Sequence, residues 1–181
     1  MVDSVTSVRL DDQLCFALYT ASRAVIAAQR PGLQDLGLTY PQYLAMLVLW
    51  EEDEITVGRL CRRLHLDSGT VSPLLRRLEA LGYLTRVRSD TDERSVTVAL
   101  TPEGVALGGR ADCVYESLTA AIADAAAVAE ERDTPASEAD SDDHASFDPA
   151  ALIALRTTLH DLTDELRRHL DASTPSKGSR S

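Results

Sequence analysis

The stretch "ITVGRLCRRLHLDSGTVSPLLRRLEALGYL", residues 55–84, sets two short apolar patterns of helical period on either side of a tight polar turn. Val57, Leu60, Cys61 and Leu64 follow the i, i+3, i+4, i+7 spacing of one helical face, and Val71, Leu74, Leu75 and Leu78 repeat it. "DSGT" between them is a turn with cap-competent residues. Two alternating runs follow, "LTRVR" (84–88) and "SVTVAL" (95–100), joined by the polar "SDTDER", and this pattern predicts a β-hairpin. A short helix, a tight turn, a second helix and a two-stranded hairpin make a winged helix-turn-helix. The fold class expected is therefore mainly α with a small β-hairpin, the winged module being flanked by dimerisation helices.

In this geometry the second helix lies in a major groove and the hairpin reaches a neighbouring minor groove. With Val71, Leu74, Leu75 and Leu78 turned inward, Ser68, Thr70, Ser72, Pro73, Arg76 and Arg77 are left largely outward. Small hydroxyls near the helix start suit base edges and phosphates, and arginines further along suit phosphates or a guanine edge. Arg86, Arg88 and Arg94 fall on or beside the hairpin, and one arginine at a wing tip matches a narrow minor groove. The partner implied is double-stranded operator DNA. One module offers only a modest surface, so a symmetric homodimer on paired half-sites is expected. A plain solvated arginine face on a protein-interaction domain is the alternative.

The net charge of −11 opposes nucleic-acid binding until its distribution is considered. Residues 55–94 hold eight arginines against five acids, a local +3, whereas residues 124–148 hold nine acids against Arg132, a local −8. A basic module thus lies beside an acidic appendage. Aromatic residues are only 4% of the chain, which disfavours an aromatic-lined cofactor pocket, and no cofactor is expected. The longest apolar run, "LAMLVLW", is too short to cross a bilayer, so no membrane partner is expected. Cys15, Cys61 and Cys113 share no metal-ligand spacing and make no even framework; the four histidines show none either. No metal is expected, and reduced thiols in a cytoplasm are.

Around the module the pattern is helical. A helix from about 10 to 30 carries Leu14, Leu18, Ala21 and Val25 as a buried stripe and ends at "RPG". The next begins at "TYPQ", with Thr39 as N-cap, Gln42 completing a capping box and Pro41 in the first turn. It is apolar nearly all round, and so central. After the hairpin, Thr101 caps a further helix that Gly108 and Gly109 weaken. A last helix, about 148 to 171, carries a seam at Leu152, Leu155, Leu159, Leu162, Leu166 and Leu170 that suits a partner helix.

The module, ending in "SDTDERSVTVALTPEG", resembles the MarR family of bacterial transcription regulators, with Asp92, Glu93 and Arg94 similar to that family's acidic-x-Arg wing signature. "LDDQLCFALY", "LGLTYPQYLAMLVLWE", "LDSGTVSPLLRRLEALGYL" and "DERSVTVALT" resemble its organic hydroperoxide sensor branch, the OhrR type, over about 10 to 105. The resemblance implies a dimeric repressor that leaves its operator when Cys15 is oxidised by an organic hydroperoxide. The sulfenic acid so formed passes to a disulfide with a second cysteine or with a low-molecular-weight thiol. It also implies tyrosine hydroxyls from the partner subunit at the sulfur. Tyr40 falls on one such position; the other falls on Gln29, a departure from the family.

Segments expected on this basis are a flexible arm (1–9), sensor and dimerisation helices (10–52), the DNA-binding module (53–101), a post-wing helix (102–130), an acidic linker (131–147), a C-terminal dimerisation helix (148–172) and a tail (173–181). Without the resemblance, Cys15 is a small hydrophobe at a helix boundary. Asp11 and Asp12 nearby disfavour a thiolate, so support must come from groups such as Tyr19 and Tyr40. Cys61 is expected to be packing material, and Cys113 a possible resolving thiol that comes about two turns early. Two other functions compete: a MarR-type repressor answering a small non-oxidising ligand, and a thiol peroxidase. No second catalytic group converges for the latter, so no enzyme is expected.

Overall fold

The computed structural model describes residues 9–88, 96–132 and 149–173. The chain divides into two compact units, residues 1–121 and 122–181. The first holds helices α1 (Leu14–Ala28), α2 (Arg30–Leu36), α3 (Tyr40–Glu51), α4 (Val57–Leu64), α5 (Ser68–Ala80) and α6 (Pro102–Gly108). It also holds strands β1 (Ile55–Thr56), β2 (Leu84–Arg88) and β3 (Val96–Leu100). Helix α7 (Asp112–Arg132) begins in the first unit and ends in the second, which also contains α8 (Pro149–Ser173). None of the described helices is long and apolar enough to cross a membrane.

The face expected inside on α5 is buried, and on α4 Leu60 is buried while Val57, Cys61 and Leu64 are half-buried against the core. Val71, Leu74, Leu75 and Leu78 of α5 and Leu60 of α4 are buried against Met46 and Leu49 of α3, Leu84 of β2 and Val98 of β3. Truncating one such leucine to alanine costs about 2–5 kcal/mol in a core of this kind. Helix α3 is the central element, as its all-round apolar character requires. Its start is tied by Gln42 Oε1, which accepts from the Thr39 N–H at 2.8 Å and from the Thr39 hydroxyl at 2.9 Å.

The hairpin gains a third strand, so the sheet order is β1-β3-β2, all antiparallel. Ile55 pairs with Val98, and Arg86 pairs with Val98 from the other side. A two-residue strand carries no alternation, which is why the sequence pattern does not announce it. The turn residues 89–95 lie outside the described residues, and with them Asp92 and Arg94. So do residues 1–8 of the arm, 133–148 of the acidic linker and 174–181 of the tail.

Three expectations need correction. The first helix starts at Leu14, not at 10, and "RPG" begins α2 rather than merely ending α1. Gln29 keeps helical dihedrals between the two (φ −80, ψ −7), and Pro31 sits in the first turn of α2, where its missing N–H leaves no bond unmade. The stripe Leu14, Leu18, Ala21 and Val25 is not buried within its own chain: α1 contains no buried residue at all. Leu14 is 63% exposed. Lastly, Gly108 and Gly109 end a helix instead of weakening one, with Gly109 capping α6 before α7 begins at Asp112.

Helix α2 sits unusually close to α7. A Cβ on Gly32 would fall on the carbonyl of Cys113 and 2.6 Å from the Cα of Val114, so only glycine permits the approach. In the second unit, Leu152, Leu155, Leu166 and Leu170 of α8 are exposed while Leu159 and Leu162 are half-buried.

Candidate DNA interface and thiol site

Helix α5 owes its start to Asp67. The Asp67 Oδ1 accepts from the Thr70 N–H at 2.9 Å and Oδ2 from the Thr70 hydroxyl at 3.0 Å. The backbone bond from Thr70, followed by its hydroxyl, holds this carboxyl below the usual aspartate range. Beyond the cap, Ser68, Thr70, Pro73, Arg76 and Arg77 are exposed and Ser72 is half-buried. The outward face expected of a groove-reading helix is therefore present. Pro73 has no N–H to donate to the Gly69 carbonyl, and both residues lie on the exposed side of the helix.

The arginines of the module divide into two sets, which the sequence pattern did not separate. Arg59 Nε donates to Glu52 Oε2 at 2.5 Å, and Arg63 reaches both Glu51, at 2.5 Å, and Glu52. These pairs bind the end of α3 to α4. Arg86 donates from Nε to Glu79 Oε2 at 2.9 Å, and its Nη2 bonds the same oxygen. Arg62, Arg76 and Arg77 are exposed and form no ion pair with any described residue. The backbone of Arg88 pairs with Val96 in the sheet. The available positive charge is thus smaller than the count of arginines implies, and part of it lies on α5.

The second cluster surrounds α1. Cys15 is the second residue of that helix and is exposed as a free thiol. One turn on, Tyr19 is 55% exposed, its hydroxyl accepting from Arg23 Nη1 at 3.1 Å while the guanidinium stacks 5.5 Å from the ring centre. Tyr40 is half-buried at the start of α3, and Gln29 is buried at the α1–α2 junction. No hydrogen bond within the chain joins Cys15 to Tyr40 or Gln29 among the described residues.

Cys61 and Cys113 are half-buried free thiols. Burial, and then the charge of Asp67, push the Cys61 thiol up. Cys113 belongs to the α2–α7 contact, its Sγ donating to the Gly32 carbonyl at 3.5 Å. Ser117 Oγ completes that contact, accepting from the Gly32 N–H at 3.0 Å and donating to the Cys113 carbonyl at 2.8 Å. No group of three histidine, cysteine, aspartate or glutamate side chains among the described residues is placed to hold a metal ion.

A helix-turn-helix with hydroxyls and arginines on the outer face of its second helix, continued by a three-stranded wing, defines a winged-helix DNA-binding protein. The family described as transcriptional regulator SarA/Rot matches residues 28–107. The organic hydroperoxide resistance transcriptional regulator of Bacillus subtilis (strain 168) is 46% identical over 111 residues, 61% of this chain and 76% of that one. The HTH-type transcriptional regulator TtmR of Methylorubrum extorquens (strain PA1) is 52% identical over 105 residues, 58% of this chain and 54% of that one. The chain thus spans from about half to three quarters of the length of these two relatives.

Among solved structures, reduced AbfR bound to DNA superposes with a TM-score of 0.61 at 28% identity, covering 88% of this chain and 93% of that one. AbfR, a protein of Staphylococcus epidermidis, is also known with a disulfide formed, at a TM-score of 0.53, 28% identity and coverage of 90% and 93%. The chain belongs to the MarR and SarA-type family of winged-helix transcriptional regulators, and it is a DNA-binding regulator rather than an enzyme.

Proposed function

We propose that the protein is a homodimeric, cytoplasmic repressor that leaves its operator when an organic hydroperoxide oxidises Cys15, so that peroxide-detoxifying genes are expressed. The observation that carries this reading is the position of Cys15: an exposed thiol at the start of α1, a helix none of whose residues is buried. The identity to a regulator of organic hydroperoxide resistance, and the fold shared with AbfR, a protein known both reduced on DNA and with a disulfide formed, support it.

In the reaction, the Cys15 thiolate attacks the terminal oxygen of the hydroperoxide. The O–O bond breaks, sulfur becomes sulfenic acid and the alcohol leaves after taking up a proton. A low-molecular-weight thiol, or Cys113 of a partner, then condenses with the sulfenic acid, forming a disulfide and releasing water. Tyr19 from the same helix, with Tyr40 and Gln29 from the second protomer, serve as hydrogen-bond donors to the sulfur. Gln29 is shorter than the tyrosine of the resembling branch and cannot stack, so the rate of oxidation differs from that branch.

The added group does not fit a packed helix boundary, and packed interfaces respond by changing arrangement rather than by yielding smoothly. Two reading helices must meet successive major grooves, so a small rotation between protomers releases both. The contacts so lost are those of Ser68, Thr70, Ser72, Pro73, Arg76 and Arg77 in the major groove and of Arg88, Asp92 and Arg94 at the wing.

The test is a gel-shift titration on a duplex selected from a random pool by the reduced wild-type protein. Cumene hydroperoxide should release the wild type at far lower concentration than hydrogen peroxide does, dithiothreitol should restore binding, and Cys15→Ser should bind but not respond. Release of Cys15→Ser by the hydroperoxide would overturn the thiol reading. Indifference of the wild type to every peroxide would leave the regulator with a non-oxidising effector instead.

A further inference from the structure

Among the described residues, an ion pair joins the recognition helix to the wing. Glu79 stands on the last turn of α5, and Arg86 at the centre of β2, seven residues later. Two guanidinium nitrogens, Nε at 2.9 Å and Nη2, converge on the single oxygen Oε2 of Glu79. Both side chains are partly withdrawn from solvent, at 29% and 36% relative exposure. Arg86 pairs in register with Val98, which is fully buried, so the strand beneath it is fixed to the core. The base of β2 is held to α5 by the buried Leu84, and the chain between them runs through "LGY", where Gly82 adopts φ +80 and Leu81 is 48% exposed.

From this geometry we infer that Arg86 and Glu79 are positioning residues for operator binding: their bridge sets the direction of the wing relative to the groove-reading helix, and Arg86 does not itself neutralise a phosphate. A guanidinium that spends two of its donors on one carboxylate is directed at α5 and carries little net charge to offer DNA. The duplex fixes the separation between a major groove and the adjoining minor groove. A wing whose direction beyond its packed base is no longer set by the bridge therefore loses the simultaneous fit of both contacts, although every DNA-touching residue is still present.

The experiment measures the affinity of full-length Glu79→Ala, Arg86→Ala, the double variant and the charge-exchanged pair Glu79→Arg/Arg86→Glu for the selected duplex and for a random-sequence duplex, at several salt concentrations. The expected result is a loss of about tenfold in each single variant, no further loss in the double, and recovery in the exchanged pair. The slope of log affinity against log salt should stay at the wild-type value, and random-duplex binding should not change.

A direct phosphate contact gives the opposite pattern: Arg86→Ala lowers the salt slope by about 1 and weakens both duplexes alike, while Glu79→Ala binds as tightly as wild type or more so. That pattern, or unchanged affinity in both single variants, would overturn the inference. A role in stability alone would lower the melting temperature but leave the affinity of the folded protein for the selected duplex as it was, which also overturns it.

Discussion

The indole Nε1 of Trp50 donates to the carbonyl of Gly104 at 2.9 Å, fixing the last turn of α3 to the first of α6. The ring so held lies against Gly108: a Cβ there would stand 2.9 Å from Nε1 and 3.1 Å from Cδ1. Tyr43 meets the same ring edge-on at 6.3 Å between centroids. Gly108→Ala should therefore destabilise the protein by about 1–3 kcal/mol through overpacking, although alanine is favoured over glycine in a helix by about 1 kcal/mol. Gly109→Ala is the control. Its Cβ would find nothing nearer than the Ala106 carbonyl at 3.5 Å, and it should be neutral or slightly stabilising. Urea unfolding of the two variants at neutral pH distinguishes them by the sign of the change.

The cap of α5 gives a pH dependence whose sign is fixed. Bonds from Thr70 hold the Asp67 carboxyl below its unfolded value, so the folded state binds this proton less readily than the unfolded chain does. The stabilisation is complete above the unfolded value, near pH 4, and is lost as pH falls through the lower folded value. Asp67→Asn keeps an acceptor at the cap but cannot titrate. Measured by urea unfolding, the stability of wild type relative to Asp67→Asn should fall steadily on acidification below about pH 4. A difference independent of pH would show that Asp67 acts only as a neutral acceptor.

How far the sequence was legible follows from which forces act locally. The faces of α4 and α5, the capping box at Thr39 and the two long strands repeat with the period of their element, so periodicity alone places them. Strand β1 is two residues long and exists only because β3 lies beside it. Likewise, nothing local tells that Arg59, Arg63 and Arg86 are engaged by Glu52, Glu51 and Glu79, because those partnerships depend on how elements meet. Charge counting therefore overstates the positive face. Helix α1 errs in the other direction: its periodicity is that of a buried helix, but nothing in the first unit buries it. The proposed thiol site shares that limit, since no hydrogen bond among the described residues joins Tyr40 or Gln29 to Cys15.

The three thiols should differ in reactivity. Cys15 is exposed, whereas burial, and then the charge of Asp67, push the Cys61 thiol up and leave less thiolate to react. Iodoacetamide at neutral pH should modify Cys15 first in the reduced protein. Cys61 should be modified only above the ordinary thiol range, about pH 8.5, or after unfolding. Peptide mass spectrometry over a time course reads this directly, and labelling of Cys61 as fast as Cys15 at neutral pH would show that the α4–α5 seam opens readily.

The uncovered face of α1 makes the last prediction. Leu14, Leu18, Val25 and Ile26 are 63%, 36%, 42% and 37% exposed, a set of apolar side chains too large to be left in water without a partner. In the proposed function, the partner is a second copy of the chain, since a dimer would read paired half-sites. Leu14→Glu/Leu18→Glu should therefore separate the dimer without unfolding the winged module, whose core contains no residue of α1. Sedimentation velocity should show monomer where wild type is dimer, far-ultraviolet circular dichroism should keep the helical signal of the module, and affinity for the selected duplex should fall at least tenfold. If the variant still sediments as a dimer and binds DNA normally, α1 does not hold the protomers together, and Cys15 loses its route from oxidation to DNA release.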